Sequence, residues 1–550
     1  MKENKKKNGL LLIVDCLRYD TLNNTKFSDY LFPNLSKLKK LSVFTSCYSN
    51  GVATQVALPS IFTLTYPLDY GGYENGIRER PKSFIECLKE QGYHTCLFGN
   101  GPDVGINYYG TYQRGFDTVK TCPDFRLIIE NKIKRTIRPK FLKLSKSEPN
   151  NSEGLNYLIK ELKMMCQSIL KDMESSDKSC WSKKLYNHNK KIAKGCEKEL
   201  ILLDNNPLEI KKKILEIIQV NYWIFLGKSR PSTFKYFLFK VFYVLHFKIR
   251  TFFRKSHVLP IWWKPCITTK SNQLLPALRK FMKSASKPWF VYCHLLDIHD
   301  AKDVQDLDFF LKKIVYFPKW FLAKLRGFTK RSFTYDSALM LLDKMLAPLI
   351  SDIIENKQLS DTVVIVSADH GECQAYQPKR PNNREKDYFL TMHEELLKIP
   401  LLIYNPKPQI KKNYKLIDNM GMTATFLETL NVPFHESFKG ISLYSGGRPI
   451  VISEHSGRGL PDLLKRGLYF TLTSKNEKLF ICIKEKELIL KFYNLLTDPI
   501  EDNNLIDVEE YRPKILSMLK YFYKERGDVI ANRFKKIKCK KFDFEIDDIN

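Results

Sequence analysis

Asp369 and His370 stand side by side behind a short apolar run, Val363 to Val366, in the stretch DTVVIVSADHGE. An adjacent carboxylate and imidazole can share one divalent metal ion, and Gly371 lets the backbone turn away behind them without a clash. The same stretch also fits a strand followed by an ordinary polar turn. Two further runs end alike. Leu10 to Val14 leads into Asp15, with Arg18 and Asp20 close behind, and Trp289 to Leu296 delivers His294, Asp297, His299 and Asp300. One aspartate of the first pair suits a helix N-cap, a role that fits Asp20 rather than Asp15. Thr54 lies among small and hydroxyl-bearing residues, ahead of a helix expected over Leu58 to Leu64. The N–H groups and dipole of a helix start suit an oxyanion or a phosphoryl or sulfuryl group in transfer, and equally a plain capping role for Thr54.

The elements that must position these groups follow from the pattern around them. Continuous, β-branched apolar runs read as strands buried on both faces, as in a parallel α/β sheet, where ligands gather beyond the carboxyl ends of the strands. Pro81 to Asn100 reads as one helix–strand unit, with Gly92 as the helix stop. Helical patterns over Asn272 to Ala285 and Ser337 to Asn356 precede the second and third runs, and Leu401 to Tyr404 reads as another strand. The fold expected is α/β, a doubly wound, mostly parallel sheet formed by residues 8–124 and 266–448. Between them, residues 125–265 are Lys-rich and helical in pattern. Residues 449–535 read as a small α+β subdomain, and 536–550 as a flexible tail.

The basic insertion contains a legible amphipathic segment, Ser232 to Lys255. Leu238, Val241, Phe242, Leu245, Ile249 and Phe252 form one stripe, and Lys240, Lys248, Arg254 and Lys255 cluster broadly opposite. Such a helix suits peripheral contact with a membrane surface, and equally packing on the main domain with a solvated basic face. Trp262 and Trp263 just beyond favour the interfacial reading. Gln374 to Asp387 reads as a polar insertion.

The 550 residues carry 90 Lys and Arg against 60 Asp and Glu, a net charge of +30 that calls for an anionic partner. No nucleic-acid-binding module is recognisable, so nucleic acid is not expected. A hydrophobic content of 43% excludes disorder throughout. The 13 cysteines lack CxxC pairs, which suits reduced thiols in a cytoplasmic protein rather than a zinc module or disulfide scaffold. Asp15 interrupts the first apolar run, which argues against a signal peptide, and no run reaches the ~20 residues of a membrane span.

In their order and spacing these motifs resemble the sulfatase family of the alkaline-phosphatase superfamily. The resemblance rests on VDCLRYD at Val14–Asp20, HLLDIHD at His294–Asp300, SADHGE at Ser367–Glu372 and HEELLKIPLLIY at His393–Tyr404. RGFD at Arg114 and FYNLLTDPIEDNNL at Phe492–Leu505 support it. It covers nearly the whole chain outside the basic insertion. Family members carry Cys or Ser in C/S-x-P-S-R, nine residues before a Thr ahead of Tyr-Pro. Counting back from Thr63, ahead of Tyr66-Pro67, gives Thr54. Matching the motif proline to Pro59 would instead give Ala57, which cannot be a nucleophile. Threonine at this place is similar to phosphoethanolamine and phosphoglycerol transferases and to archaeal and bacterial sulfatase-like proteins. Three departures stand out: no Cys can become formylglycine, the motif Arg is Leu58, and the usual Asp-Asp pair is Asp15-Cys16.

The resemblance implies one divalent ion (Zn²⁺, Mn²⁺ or Ca²⁺) held by Asp15, Thr54, Asp369 and His370. Two carboxylates, an imidazole and an alkoxide suit Zn²⁺ or Mn²⁺ better than oxygen-seeking Ca²⁺. It further implies His299 and His393 as groups that bind the non-bridging oxygens or protonate the leaving group, Asp297 to orient His299 or approach a second metal, and Arg18 on the substrate. The expected function is hydrolysis of sulfate or phosphate esters through Thr54, on a polysaccharide or lipid-linked substrate at the cell surface. Phosphoethanolamine- or phosphoglycerol-type transfer, and non-catalytic binding of an anionic glycan or membrane, are the alternatives.

Overall fold

The computed structural model describes residues 6–100, 112–147, 152–217, 219–229, 231–256, 271–285, 288–299, 307–372, 392–406, 408–410, 415–457, 467–484, 487–531, 538–539 and 544–545. Asp300, Trp262, Trp263 and the segment 374–387 lie outside them. The core is a seven-stranded sheet of β1 (Asn8–Val14), β2 (Ser42–Tyr48), β3 (His94–Gly99), β4 (Thr118–Thr121), β5 (Trp289–Leu295), β6 (Thr362–Ser367) and β7 (Lys398–Tyr404). Its order is β2-β7-β6-β1-β5-β3-β4. The five strands from β6 to β4 run parallel, whereas β7 is antiparallel to both β6 and β2. β1, β5 and β6 are buried at every position, which is why each reads as an unbroken apolar run rather than an alternating one.

Adjacency explains why three separated motifs can meet. β1 lies between β5 and β6, and Ile13 is level with both His294 and Ser367. The residues that follow, Asp15 and Asp369, therefore leave the sheet at one height beside His294.

Two of the core helices are α1 (Thr54–Thr63) and α2 (Phe84–Glu90), and the insertion that follows β4 includes α3 (Ser152–Ser175). Next come α4 (Lys183–Asn205), α5 (Pro207–Glu216) and α6 (Thr233–Ser256). The core resumes with α7 (Ser271–Ser284), α8 (Phe333–Glu355) and α9 (Asn419–Thr429). α1 begins at Thr54, four residues ahead of the expected start, because Ala53 is extended and takes the N-cap place. Asp20, expected as a cap, instead pairs through its side chain with Arg18 and Arg331.

The C-terminal part forms a four-stranded antiparallel sheet, β8 (Val451–His455), β9 (Leu468–Thr473), β10 (Glu477–Lys484) and β11 (Glu487–Asn494), followed by α10 (Arg512–Ala531). In the segment expected as a flexible tail, Lys538–Cys539 pairs with Phe544–Glu545. Arg526 of α10 reaches back to the core, bonding Glu454 at 2.8 and 3.0 Å and Asp69 at 2.7 Å, with its own side chain almost wholly buried. Ten cysteines of the described residues are buried and free. Among the described residues no helix is long and apolar enough to cross a membrane.

The insertion has its own polar hub. Glu199 of α4 accepts from Lys213 of α5, the Tyr222 hydroxyl and the Gly227 N–H, each at 2.6 Å, and Lys213 also donates to the Phe225 carbonyl at 3.1 Å. Both charged side chains are fully enclosed. Removing one partner of such a pair leaves the other charge buried alone, at a cost of about 3–5 kcal/mol. Lys213→Met should therefore loosen the insertion by that amount, with earlier proteolytic cleavage between residues 125 and 256 as the readout.

Candidate active site

At the end of β1 the Asp15 N–H donates to the Leu295 carbonyl at 2.9 Å, so the first carboxylate is held to the neighbouring strand. Cys16 then adopts φ +66, a left-handed conformation that costs a β-carbon-bearing residue about 1–3 kcal/mol. Tyr335 of α8 holds the turn there: its hydroxyl donates to the Cys16 carbonyl at 2.8 Å and accepts from the Arg18 N–H at 3.0 Å. Cys16 directs its thiol to Glu372, 3.4 Å away.

Thr54 stands at the first position of α1, and its hydroxyl turns away from its own helix. Oγ1 lies 3.0 Å from Asp15 Oδ2 and 3.3 Å from His370 Nε2. The capping alternative thus gives way to a contact with both charged groups. The His370 ring is oriented by Nδ1, 2.6 Å from the Gly371 carbonyl. A carbonyl only accepts, so Nδ1 carries a proton and Nε2 is the ring nitrogen that faces the cluster. Nε2 is 3.5 Å from Asp15 Oδ1 and 3.6 Å from Asp369 Oδ2. The Asp369 carbonyl accepts from Ser49 Oγ at 2.5 Å and Asn419 Nδ2 at 3.0 Å, fixing its backbone from two sides. His294 completes the ring, with Nε2 3.8 Å from Asp15 Oδ2 and 3.9 Å from Asp369 Oδ2.

Asp15, Thr54, Asp369 and His370, the four groups expected around a metal, are therefore neighbours, and all are buried. Asp15 Oδ1 and Asp369 Oδ2 are shut off from solvent with no hydrogen-bond partner. Two enclosed carboxylates facing one point, ringed by imidazoles and a hydroxyl, fit a divalent cation, since such anions are otherwise several kcal/mol too costly to bury. Burial pushes the Asp15 carboxyl up, but the charges of His299, His294 and His370 outweigh it and leave it well below the usual range.

The other expected site residues are placed differently. His299 is exposed, in a turn near enough to act on Asp15 electrostatically. Asp297 is buried and accepts from the Ser271 N–H at 3.3 Å, the Ser271 hydroxyl and Asn100 Nδ2 at 3.4 Å, so it ties α7 and the end of β3 to the turn after β5. His393 opens a short helical turn, Glu394–Leu397, with Nδ1 3.4 Å from Glu501 of the C-terminal part. Arg18 is engaged by Asp20 at 2.8 Å, Glu395 at 3.3 Å and the Glu372 carbonyl at 3.0 Å, joining three loops above the sheet edge.

Two participants lay outside the expected metal set. His294, one of the four ionisable groups at the end of its run, is brought to the cluster by its level with Ile13. Arg135, from the Lys-rich insertion, donates to Oε1 of Gln55, the residue after Thr54, and Gln55 in turn donates to Glu74 at 2.5 Å. One helical turn before it, Lys132 is pushed down to about 8 by burial, with Arg78 adding to the shift.

The sulfatase family model matches residues 7–197 and 229–432, most of the chain. The chain belongs to the sulfatase family. An arylsulfatase of Clostridium perfringens is 23% identical over 205 residues, an alignment spanning 35% of this chain and only 39% of that protein. The phosphonate monoester hydrolase of Agrobacterium radiobacter has the same fold, with a TM-score of 0.53 at 13% identity, over 95% of this chain and 96% of that one. The Ps i-CgsB protein in complex with k-i-k-neocarrahexaose superposes with a TM-score of 0.52 at 13% identity, over 95% and 93% of the two chains.

Gly371 lets the chain turn without a clash, as expected, and the partner it would clash with is the backbone at Glu395. Its N–H donates to the Leu396 carbonyl at 2.7 Å, and a β-carbon would lie 2.1 Å from the Glu395 carbonyl oxygen. Gly371→Ala should cost about 1–3 kcal/mol by overpacking. It should also displace His370, read as a lower melting temperature together with weaker retention of a divalent ion.

Proposed function

We propose that this protein is a metal-dependent hydrolase of sulfate or phosphate esters that uses Thr54 as its nucleophile. The observation that carries the reading is the Thr54 hydroxyl within hydrogen-bonding distance of both Asp15 and His370, at the start of a helix. A divalent ion bound by Asp15, Asp369, His370 and Thr54 would favour the ionised hydroxyl and offset charge on the ester oxygens. Asp15 and His370 orient Oγ1, whose proton passes to solvent as the hydroxyl ionises. Oγ1 then forms a bond to sulfur or phosphorus as the ester bond to the leaving oxygen breaks. The positive end of the α1 dipole, at Thr54, favours the negative charge on the oxygens of the transferred group. His299, exposed at the rim, supplies a proton to the departing oxygen. Water then cleaves the bond to Oγ1 and releases sulfate or phosphate; an acceptor hydroxyl in place of water would make the same residues a transferase. His393, oriented by Glu501, binds the substrate's non-bridging oxygens. Arg18 acts through the loops it joins, and Asp297 by fixing the turn that presents His299.

An anionic polysaccharide or a lipid-linked glycan is the substrate class that suits this site. Support comes from the net charge of +30, from Arg135 and Lys132 beside the helix that bears Thr54, and from the carbohydrate held by a protein of the same fold. The lipid-linked form is favoured by α6. Tyr236 and Phe239 pack on Phe225 with ring centroids 6.1 and 5.5 Å away, while Phe234, Phe237, Leu238, Val241, Phe242 and Leu245 are exposed on the opposite side. With Lys235 and Lys240 flanking this apolar band, the helix suits an anionic bilayer surface.

Two experiments test these points. Thr54→Ala should lower turnover of aryl sulfate, aryl phosphate or aryl phosphodiester by about a thousandfold or more, with an unchanged circular dichroism spectrum. Retained turnover would sink the nucleophile assignment. The native chain should sediment with vesicles containing anionic phospholipid and not with purely zwitterionic ones. A Phe242→Asp, Leu245→Asp double variant should stay in the supernatant while keeping aryl-ester turnover.

A further inference from the structure

His294 has no part in the metal set implied by the family's motifs, yet its ring closes the cluster. Its side chain is buried at the end of β5, and Nε2 lies at nearly equal distances, 3.8 and 3.9 Å, from Asp15 Oδ2 and Asp369 Oδ2. His370 Nε2 stands 3.5 and 3.6 Å from carboxylate oxygens of the same two residues. Two imidazole nitrogens are thus placed alike around one carboxylate pair. Ligand atoms about 2.0–2.2 Å from a zinc-type ion at a tetrahedral angle are about 3.3–3.6 Å apart, so each of these four nitrogen–oxygen distances lies within a few tenths of an ångström of a ligated one.

The second nitrogen of each ring supports the same role. His370 Nδ1 donates to the Gly371 carbonyl, and His294 Nδ1 is 3.1 Å from the Tyr292 hydroxyl. A metal-ligating imidazole characteristically donates its other N–H to an oxygen, which fixes the tautomer that leaves Nε2 as the ligand. Calcium, by contrast, takes six to eight oxygens. Around this point the protein offers oxygens from Asp15, Asp369 and Thr54, with nitrogens in the remaining directions.

We propose that His294 is a direct metal ligand, joining Asp15, Asp369, His370 and the Thr54 hydroxyl in a set with two imidazoles that selects a first-row transition ion of the zinc type over calcium. The inference rests on the metal-site reading given above and deepens it.

The test uses the full chain, stripped with a chelator and titrated with Zn²⁺ and with Ca²⁺. Zn²⁺ should bind one per chain and far more tightly than Ca²⁺. His294→Ala should weaken Zn²⁺ binding by about 100-fold or more, beyond the 10–100-fold typical of losing an outer-shell partner. Loaded with Co²⁺, the native chain and the variant should differ in the ligand-field bands of the visible spectrum, because an imidazole has left the ion. His294→Asn keeps a hydrogen-bonding group near Asp15 and is read in the same way if the alanine variant does not fold. Native Zn²⁺ affinity and a native Co²⁺ spectrum in His294→Asn would overturn the proposal, leaving His294 to position Asp15 only. A native chain that prefers Ca²⁺ would overturn it as well. Binding of no divalent ion at all would remove the metal from the proposed function too, whereas Thr54-dependent turnover with a His294-independent transition ion would overturn this inference alone.

Discussion

The structure is organised around two carboxylates that have been taken out of water. Asp15 and Asp369 leave adjacent parallel strands at the same height, in the interior of a sheet whose central strands are buried throughout. Several kcal/mol per ion is the usual cost of such burial, and mutual repulsion adds to it. Relief comes from imidazoles on both sides and a hydroxyl at the start of α1, and the remaining enclosed oxygens call for a cation. Much of the local architecture can be understood as keeping these groups from relaxing apart. Ser49 and Asn419 hold the Asp369 carbonyl, the Leu295 carbonyl holds the Asp15 N–H, and backbone contact at Gly371 prevents the His370 turn from lifting.

The loops above this centre are cross-linked by charge rather than by regular structure. Arg18 joins the turn after β1 to the segments at Glu372 and Glu395, and Arg331 carries the connection from Asp20 to Asp336 at the start of α8. The C-terminal part docks by the same means, with Arg526 on Glu454 and Asp69, and with Glu501 between Lys478 and His393. Burial pushes the Glu501 carboxyl up, but Lys478 and His393 outweigh it and hold it at about 2. That carboxylate pairing is therefore complete above the ordinary carboxylate pKa and is lost only as pH falls toward 2. His393 is thereby coupled to the docking of a region far from it in sequence.

How much of this the amino-acid order disclosed depended on the range of each interaction. Strands buried on both faces leave unbroken apolar runs, so β1, β5 and β6 were legible, together with the ionisable residues at their ends. The family motifs brought Asp15, Thr54, Asp369 and His370 into one expected set, and the four are neighbours. Lateral strand order is a tertiary property, and with it the place of His294 stayed hidden until β1 was seen between β5 and β6. Asp297 has the composition of a site residue but is held by Ser271 and Asn100, whose approach no spacing reveals. That Gly371 lets the backbone turn without a clash was legible, but the helical turn Glu394–Leu397 that a side chain there would strike was not, for the same reason.

The insertion shows where composition alone misleads about charge. An excess of 30 positive charges suggests a broad attraction for anions, yet charges on solvated faces are screened within roughly 8 Å at physiological salt. Most of the lysines of α3 to α6 are therefore too solvated to select among substrates at the site. The few that count are those brought under cover, where screening is weak. Arg135 meets Gln55 directly after Thr54, and Lys132, buried one turn before it, is close enough to Arg78 and Glu74 for its charge to be shifted by them. In this chain Leu58 stands where the family motif has an arginine, and positive charge reaches α1 from a separate segment through Arg135. The insertion is anchored to the end of β4 through Asn189 and Trp181 and to α1 through Arg135 on Gln55, so its solvated outer face can vary without moving the buried cluster.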